Sequence, residues 1–171
     1  MPPGLRKAAL TAHVTASVGW LGAVACSLVL GVAGLTLQDP ERVRAVYLTL
    51  EPMGLFVLVP ASVASLLTGL VQSLGTRWGL FRHYWVVAKL LMNVFATLVV
   101  VLYMQTLGYL ANVARATTGD DLAELRSPSV VLHAGGALVL LLVATVLSIY
   151  KPRGMTRYGQ RNLLAIPPRG R

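Results

Sequence analysis

Four stretches of this 171-residue chain are free or almost free of charge, and each is long enough to cross a bilayer as a helix. Ala8–Gln38, Pro52–Thr76 and Ser127–Tyr150 contain no Asp, Glu, Lys or Arg, and Tyr84–Ala114 contains only Lys89. A run of about 20 apolar residues spans the hydrocarbon core. Hydrocarbon offers no partner to backbone N–H and C=O groups, so each stretch is expected to be helical throughout. Composition agrees: 12% of the residues are charged, about half the share of a soluble domain. That argues against a water-soluble enzyme, a nucleic-acid-binding domain and a disordered chain. Short connections make sequential helices antiparallel neighbours. The expected fold is all-α: an integral membrane antiparallel four-helix bundle, a single membrane domain over residues 1–171. Its helices are expected at about 8–37, 52–75, 84–113 and 128–150, followed by a basic tail over 151–171.

The net charge of +9 is distributed unevenly between the two ends of such a bundle. One end collects Arg6, Lys7, Arg77, Arg82, Lys151, Arg153, Arg157, Arg161, Arg169 and Arg171 and no acidic residue. The other mixes Arg42, Arg44, Arg115 and Arg126 with Asp39, Glu41, Glu51, Asp120, Asp121 and Glu124. The positive-inside rule therefore predicts that both termini are cytoplasmic. The tail is expected to lie on the anionic inner leaflet, with no nucleic-acid partner. Trp78, Tyr84, Trp85 and Tyr150 fall near the inner boundary, and Tyr47, Tyr103 and Tyr109 near the outer one, as amphipathic rings prefer. Pro60 should kink the second helix. The single cysteine, Cys26, excludes an internal disulfide and reads as a packing residue.

Ionisable groups inside a membrane are costly and mark function, and here they form a short list. His13 lies in helix one, Lys89 in helix three and His133 in helix four, with Glu51 at the outer mouth of helix two; His83 sits at the inner surface. His13 follows Lys7 by six residues and Lys89 follows Arg82 by seven, which puts both about 9–10 Å inside the same boundary. His133 enters from the opposite side, so it is at least about 10 Å from that level in a core of about 30 Å. At helical spacings His13 shares a face with Ser17, Trp20 and Val24, and Lys89 with Met92, Asn93 and Ala96. Ser62, Ser65, Gly69 and Gln72 form a small, polar stripe on helix two, suited to close helix contact. Facing helices of a bundle hold haem in this manner; imidazole is a good axial ligand, and a lysine can be the second only as the neutral amine. Copper, with His13, Met92 and Cys26 as soft ligands, is the competing assignment. Glu51, before Pro52, is expected near an N-cap, and is expected to approach His133 in a second polar site near the outer leaflet, a proton path or substrate mouth.

His13-x6-Trp20-x-Gly22 resembles the first-helix signature of a loose superfamily of small bacterial membrane proteins. It includes the membrane domain of copper-resistance protein D, the haem-binding protoporphyrinogen oxidase of many bacteria, and uncharacterised integral membrane proteins. Trp85-x3-Lys89-Leu90 resembles the third-helix motif of the same oxidase family, and the likeness covers helices one to three. Residues Trp78–Trp85 and Tyr150–Gly154 look most like actinobacterial members. The resemblance implies haem b ligated by His13 and Lys89 in a multi-pass protein of a bacterial plasma membrane; Trp20 and Asn93, on the helix faces of those two residues, are expected to bind the cofactor as well. The chain departs from the oxidase in lacking basic residues over Ser27–Gln38 and Pro52–Thr76.

The function expected is electron transfer, or oxidation of a small lipophilic substrate such as a quinol or porphyrinogen. Expected partners are the lipid bilayer and a quinone- or porphyrin-like molecule, with a homo-oligomer or a redox partner left open. The alternatives are a non-enzymatic membrane subunit or partner-binding bundle, and a copper- or solute-handling protein.

Overall fold

The computed structural model describes residues 1–75, 79–119, 121–152 and 154–164. Arg77, Trp78, Asp120, Arg153, Arg169 and Arg171, used above in the charge and aromatic arguments, lie outside the described residues. The described chain is helical, with α1 at Pro3–Thr36, α2 at Pro40–Met53, α3 at Val59–Gly75, α4 at Tyr84–Ala116, α5 at Ser129–Tyr150 and α6 at Arg157–Leu164. A π-helical turn, Gly54–Leu58, joins α2 to α3, so that Pro40–Gly75 forms one continuous rod. Four rods (α1, α2–α3, α4 and α5) are long and apolar enough to cross a membrane.

The second rod begins at Pro40, twelve residues earlier than the expected start at 52. Asp39 accepts a hydrogen bond from the Glu41 backbone N–H at 3.0 Å and Pro40 takes the first helical position, which together form a capped start. The charged segment that reads as a loop is instead amphipathic. Val43, Val46, Tyr47 and Leu50 recur at helical spacing and are all buried. Glu51 is therefore inside a helix and not near its N-cap. Pro52 and Pro60 each remove one backbone donor, and the π turn falls between them. There the Val59 N–H reaches five residues back to the Gly54 carbonyl. This is the local rearrangement that proline in a helix demands.

The rods pack as a square. The first touches the second and the fourth, and the third touches the second closely and the fourth much less. Rods one and three are diagonal, as are two and four. Neighbours run antiparallel, since early α1 meets late α3 (His13 with Thr68) while late α1 meets early α5 (Gly31 with Val130). Gly31 sets the second approach: a Cβ there would lie 2.8 Å from Val130 Cγ1, so only glycine admits α5.

Two apolar clusters divide the core. At the end carrying the loops after α1 and α4, Val43, Tyr47, Leu50, Leu110, Leu125 and Val130 pack together. Tyr47 donates its hydroxyl proton to the Leu125 carbonyl. Arg126 donates to the carbonyls of Leu35 and Leu37 at 2.8 and 2.9 Å, so a cation caps the C-terminus of α1. The middle of the bundle holds Trp20, Val24, Leu58, Ala96 and Leu141. At the end carrying both termini, the chain after α5 folds back over the loop before α4. The Thr156 N–H donates to the Arg82 carbonyl at 3.0 Å, and His83 and Met155 form a β-bridge.

Candidate functional site

Between the middle cluster and the termini end, α1, α3 and α4 meet along a polar seam. His13 Nδ1 and Thr68 Oγ1 are 3.1 Å apart, and Thr68 Oγ1 also lies 2.6 Å from the Ala64 carbonyl. A carbonyl only accepts, so the single hydroxyl proton of Thr68 goes to Ala64. The bond to His13 then requires Nδ1–H as its donor. His13 is thereby fixed as the Nε2 lone-pair tautomer, the form in which imidazole binds a metal. Gly69 leaves room for that ring: a Cβ on it would lie 3.2 Å from His13 Cε1.

One turn further along α1, Ser17 and Ser65 bond hydroxyl to hydroxyl at 2.9 Å, and Asn93 of α4 donates to Ser65 Oγ at 3.4 Å. Four buried polar atoms around this seam have no hydrogen-bond partner among the described residues: Trp20 Nε1, Gln72 Nε2, Asn93 Oδ1 and Thr97 Oγ1. Buried polar groups nearly always have a partner, and these four, spread over about 15 Å along the seam at 1.5 Å per residue, leave room for a polar guest. Lys89 lies one turn before Asn93 on α4. Its Nζ stands 5.8 Å from the centre of the Trp85 ring, in cation–π range.

The structure thus links the face of α1 that carries His13 to Asn93 on the diagonal α4 through the hydroxyls of α3, with Trp20 buried in the adjoining middle cluster and Lys89 on the same helix as Asn93. It adds Thr68 and Thr97, which the sequence reading passed over; the signal was there in Thr68 following Ser65 by three and Thr97 following Asn93 by four. His13 and Cys26 are thirteen residues apart on one straight helix, hence about 20 Å, and Cys26 is on an exposed face. The copper set of His13, Met92 and Cys26 is not assembled.

Glu51 and His133 do not form the expected second site. Glu51 pairs with Arg115, while His133 Nδ1 bonds to the Ser129 carbonyl at 2.8 Å and its ring stacks on Tyr103 at 4.1 Å. The physical reason is the square packing, in which rods two and four are diagonal and α4 supplies the nearer partners to both. Tyr103, expected as a boundary aromatic, is half-buried and also bonds Ser129 Oγ at 3.0 Å.

A cavity of about 350 Å³ begins beside the seam, at Ala96 next to Thr97 on α4 and at Val24 one turn beyond Trp20 on α1, and continues toward the loop end between α4 and α5. Ser27, Tyr103 and His133 are the polar residues on its otherwise apolar wall.

No family model matches this chain, nor does any curated protein or solved structure.

Proposed function

We propose that this chain is a multi-pass protein of a bacterial plasma membrane that binds haem b and serves electron transfer or the oxidation of a small lipophilic substrate. Both termini would face the cytoplasm, following the ten basic residues at that end. The observation that carries the proposal is the His13–Thr68–Ala64 relay, which leaves Nε2 of an intramembrane histidine with a lone pair and no hydrogen.

The donor set fits haem on its chemistry. His13 supplies a neutral imidazole, and the unpartnered atoms of Trp20, Asn93, Gln72 and Thr97 offer donors and acceptors beside it. In this proposal His13 and Lys89 would hold the haem iron, Lys89 as a neutral amine that has released its proton and left the face of Trp85. Thr68 holds the imidazole orientation, and Gly69 keeps α3 clear of the ring. Trp20 and Asn93 border the group from α1 and α4. Haem would contribute a one-electron couple within the apolar bundle.

Purified full-length chain in detergent tests this directly. The expected result is a strong Soret band that shifts on reduction with dithionite. A colourless chain that also fails to take up added haemin would overturn the proposal and favour a non-enzymatic membrane subunit.

A further inference from the structure

We propose that the cavity between α4 and α5 is a binding site for a lipophilic alcohol or phenol, whose hydroxyl donates a hydrogen bond to His133. The inference rests on the membrane placement proposed above but not on haem.

The shape and lining of the cavity set the body of the ligand. It runs along α5 from Val130 to Leu140, about 15 Å at the rise of an α-helix. No Asp, Glu, Lys or Arg lines it. Phe95 and Leu132 belong to its wall and are 60% and 69% exposed, so it reaches the outer surface of the bundle along the loosest side of the square. In a bilayer that surface faces lipid, and a ligand already dissolved there can enter sideways.

Proton counting sets the head of the ligand. His133 Nδ1 bonds a carbonyl, which can only accept, so Nδ1 carries the hydrogen and Nε2 is left as an acceptor. The Ser27 hydroxyl spends its proton on the Ala23 carbonyl at 2.9 Å, leaving an oxygen that accepts. Tyr103 and Ser129 share one bond between their hydroxyls, in which either can donate, so the pair keeps one proton to offer. His133 and Ser27 thus have acceptors to offer and no free proton. An aliphatic tail alone would leave them unmatched, and a ketone or quinone could accept from the Tyr103–Ser129 pair but would set acceptor against acceptor at His133 and Ser27. A hydroxyl head supplies the missing donor.

The test uses the full chain in phosphatidylcholine nanodiscs, with binding of tritiated 4-decylphenol measured against protein-free discs. Unlabelled 4-decylphenol and its methyl ether, 4-decylanisole, serve as competitors. The expected result is saturable binding of one phenol per chain, with the ether weaker by about tenfold, as one hydrogen bond allows. His133→Phe keeps the ring stacked on Tyr103 and removes the acceptor, so it should bring phenol and ether to near equality. Ala137→Phe fills the cavity and should abolish saturable binding of both. Equal affinity of the wild type for phenol and ether would mean that the cavity holds an acyl chain, and would overturn the proposal. So would a preference that survives His133→Phe, unchanged binding in Ala137→Phe, or no saturable binding. His13 and Lys89 are untouched in every variant, so failure here leaves the haem proposal standing, and the reverse.

Discussion

Thr68 has one hydroxyl proton and two helix-backbone claims on it, at Ala64 and Ser65, and everything proposed for His13 depends on that allocation. Thr68→Val keeps the shape and removes the oxygen that accepts from Nδ1–H. It should lower haem affinity about 10- to 100-fold, the usual cost of losing the partner that orients a metal-binding histidine, read by haemin titration of apoprotein. His83→Ala, beyond the end of the seam, should leave the titration unchanged. The residue that matters here was only half legible in the sequence. His13, Trp20 and Asn93 stand out as polar or large groups in apolar runs. Thr68 does not, because a threonine in a helix ordinarily bonds back to its own backbone, and nothing in one helix tells which neighbour uses its lone pairs. The same limit explains Glu51 and His133: each looked partnerless within its own segment, and Arg115 and Tyr103 answer them from α4.

At the scale of elements, the absence of charge located all four rods, since a long uncharged run in a helix-only solvent leaves little choice. Their ends were less legible. The segment from Pro40 to Glu51 carries four charges and reads as a loop, yet its Val43–Val46–Tyr47–Leu50 stripe packs against α4 and the residues before α5. Amphipathic helix at a membrane boundary is invisible to a search for uncharged length. The C-terminus of α1 gives the clearest element-level test. Arg126 bonds two of its terminal carbonyls from ninety residues away in sequence. Arg126→Ala should destabilise the chain by about 1.5–3 kcal/mol, the range for hydrogen bonds to a charged group. Arg126→Lys should recover only part of this, because an ammonium lacks the planar fork that reaches both oxygens. Thermal unfolding in a mild detergent measures both. Glu51→Gln, which breaks a half-exposed ion pair, should cost no more than about 1 kcal/mol by the same assay.

For the molecule as a whole, the square of antiparallel rods places the start of α1 and the end of α5 at one end and the loops after α1 and α4 at the other. The account adds a membrane and an orientation to this. Reporter fusions at residues 1 and 171 should report the cytoplasm, and fusions in the loops at 37–39 and 117–128 the exterior. An exterior C-terminus would contradict the four-span arrangement. The packing also separates two levels that the sequence could only rank by depth: a polar seam toward the termini and an apolar cavity toward the loops. The haem proposed at the seam and the alcohol or phenol proposed in the cavity would occupy these two levels.

That division of labour stands or falls with His13. The decisive measurement is haem per chain, by pyridine haemochrome, in purified wild type and in His13→Gly, each checked for helicity and a single size-exclusion peak. The account predicts about one haem per wild-type chain, little in His13→Gly, and recovery when free imidazole fills the space left by the side chain. Equal haem in the two folded proteins, or none in either after reconstitution with haemin, would contradict it.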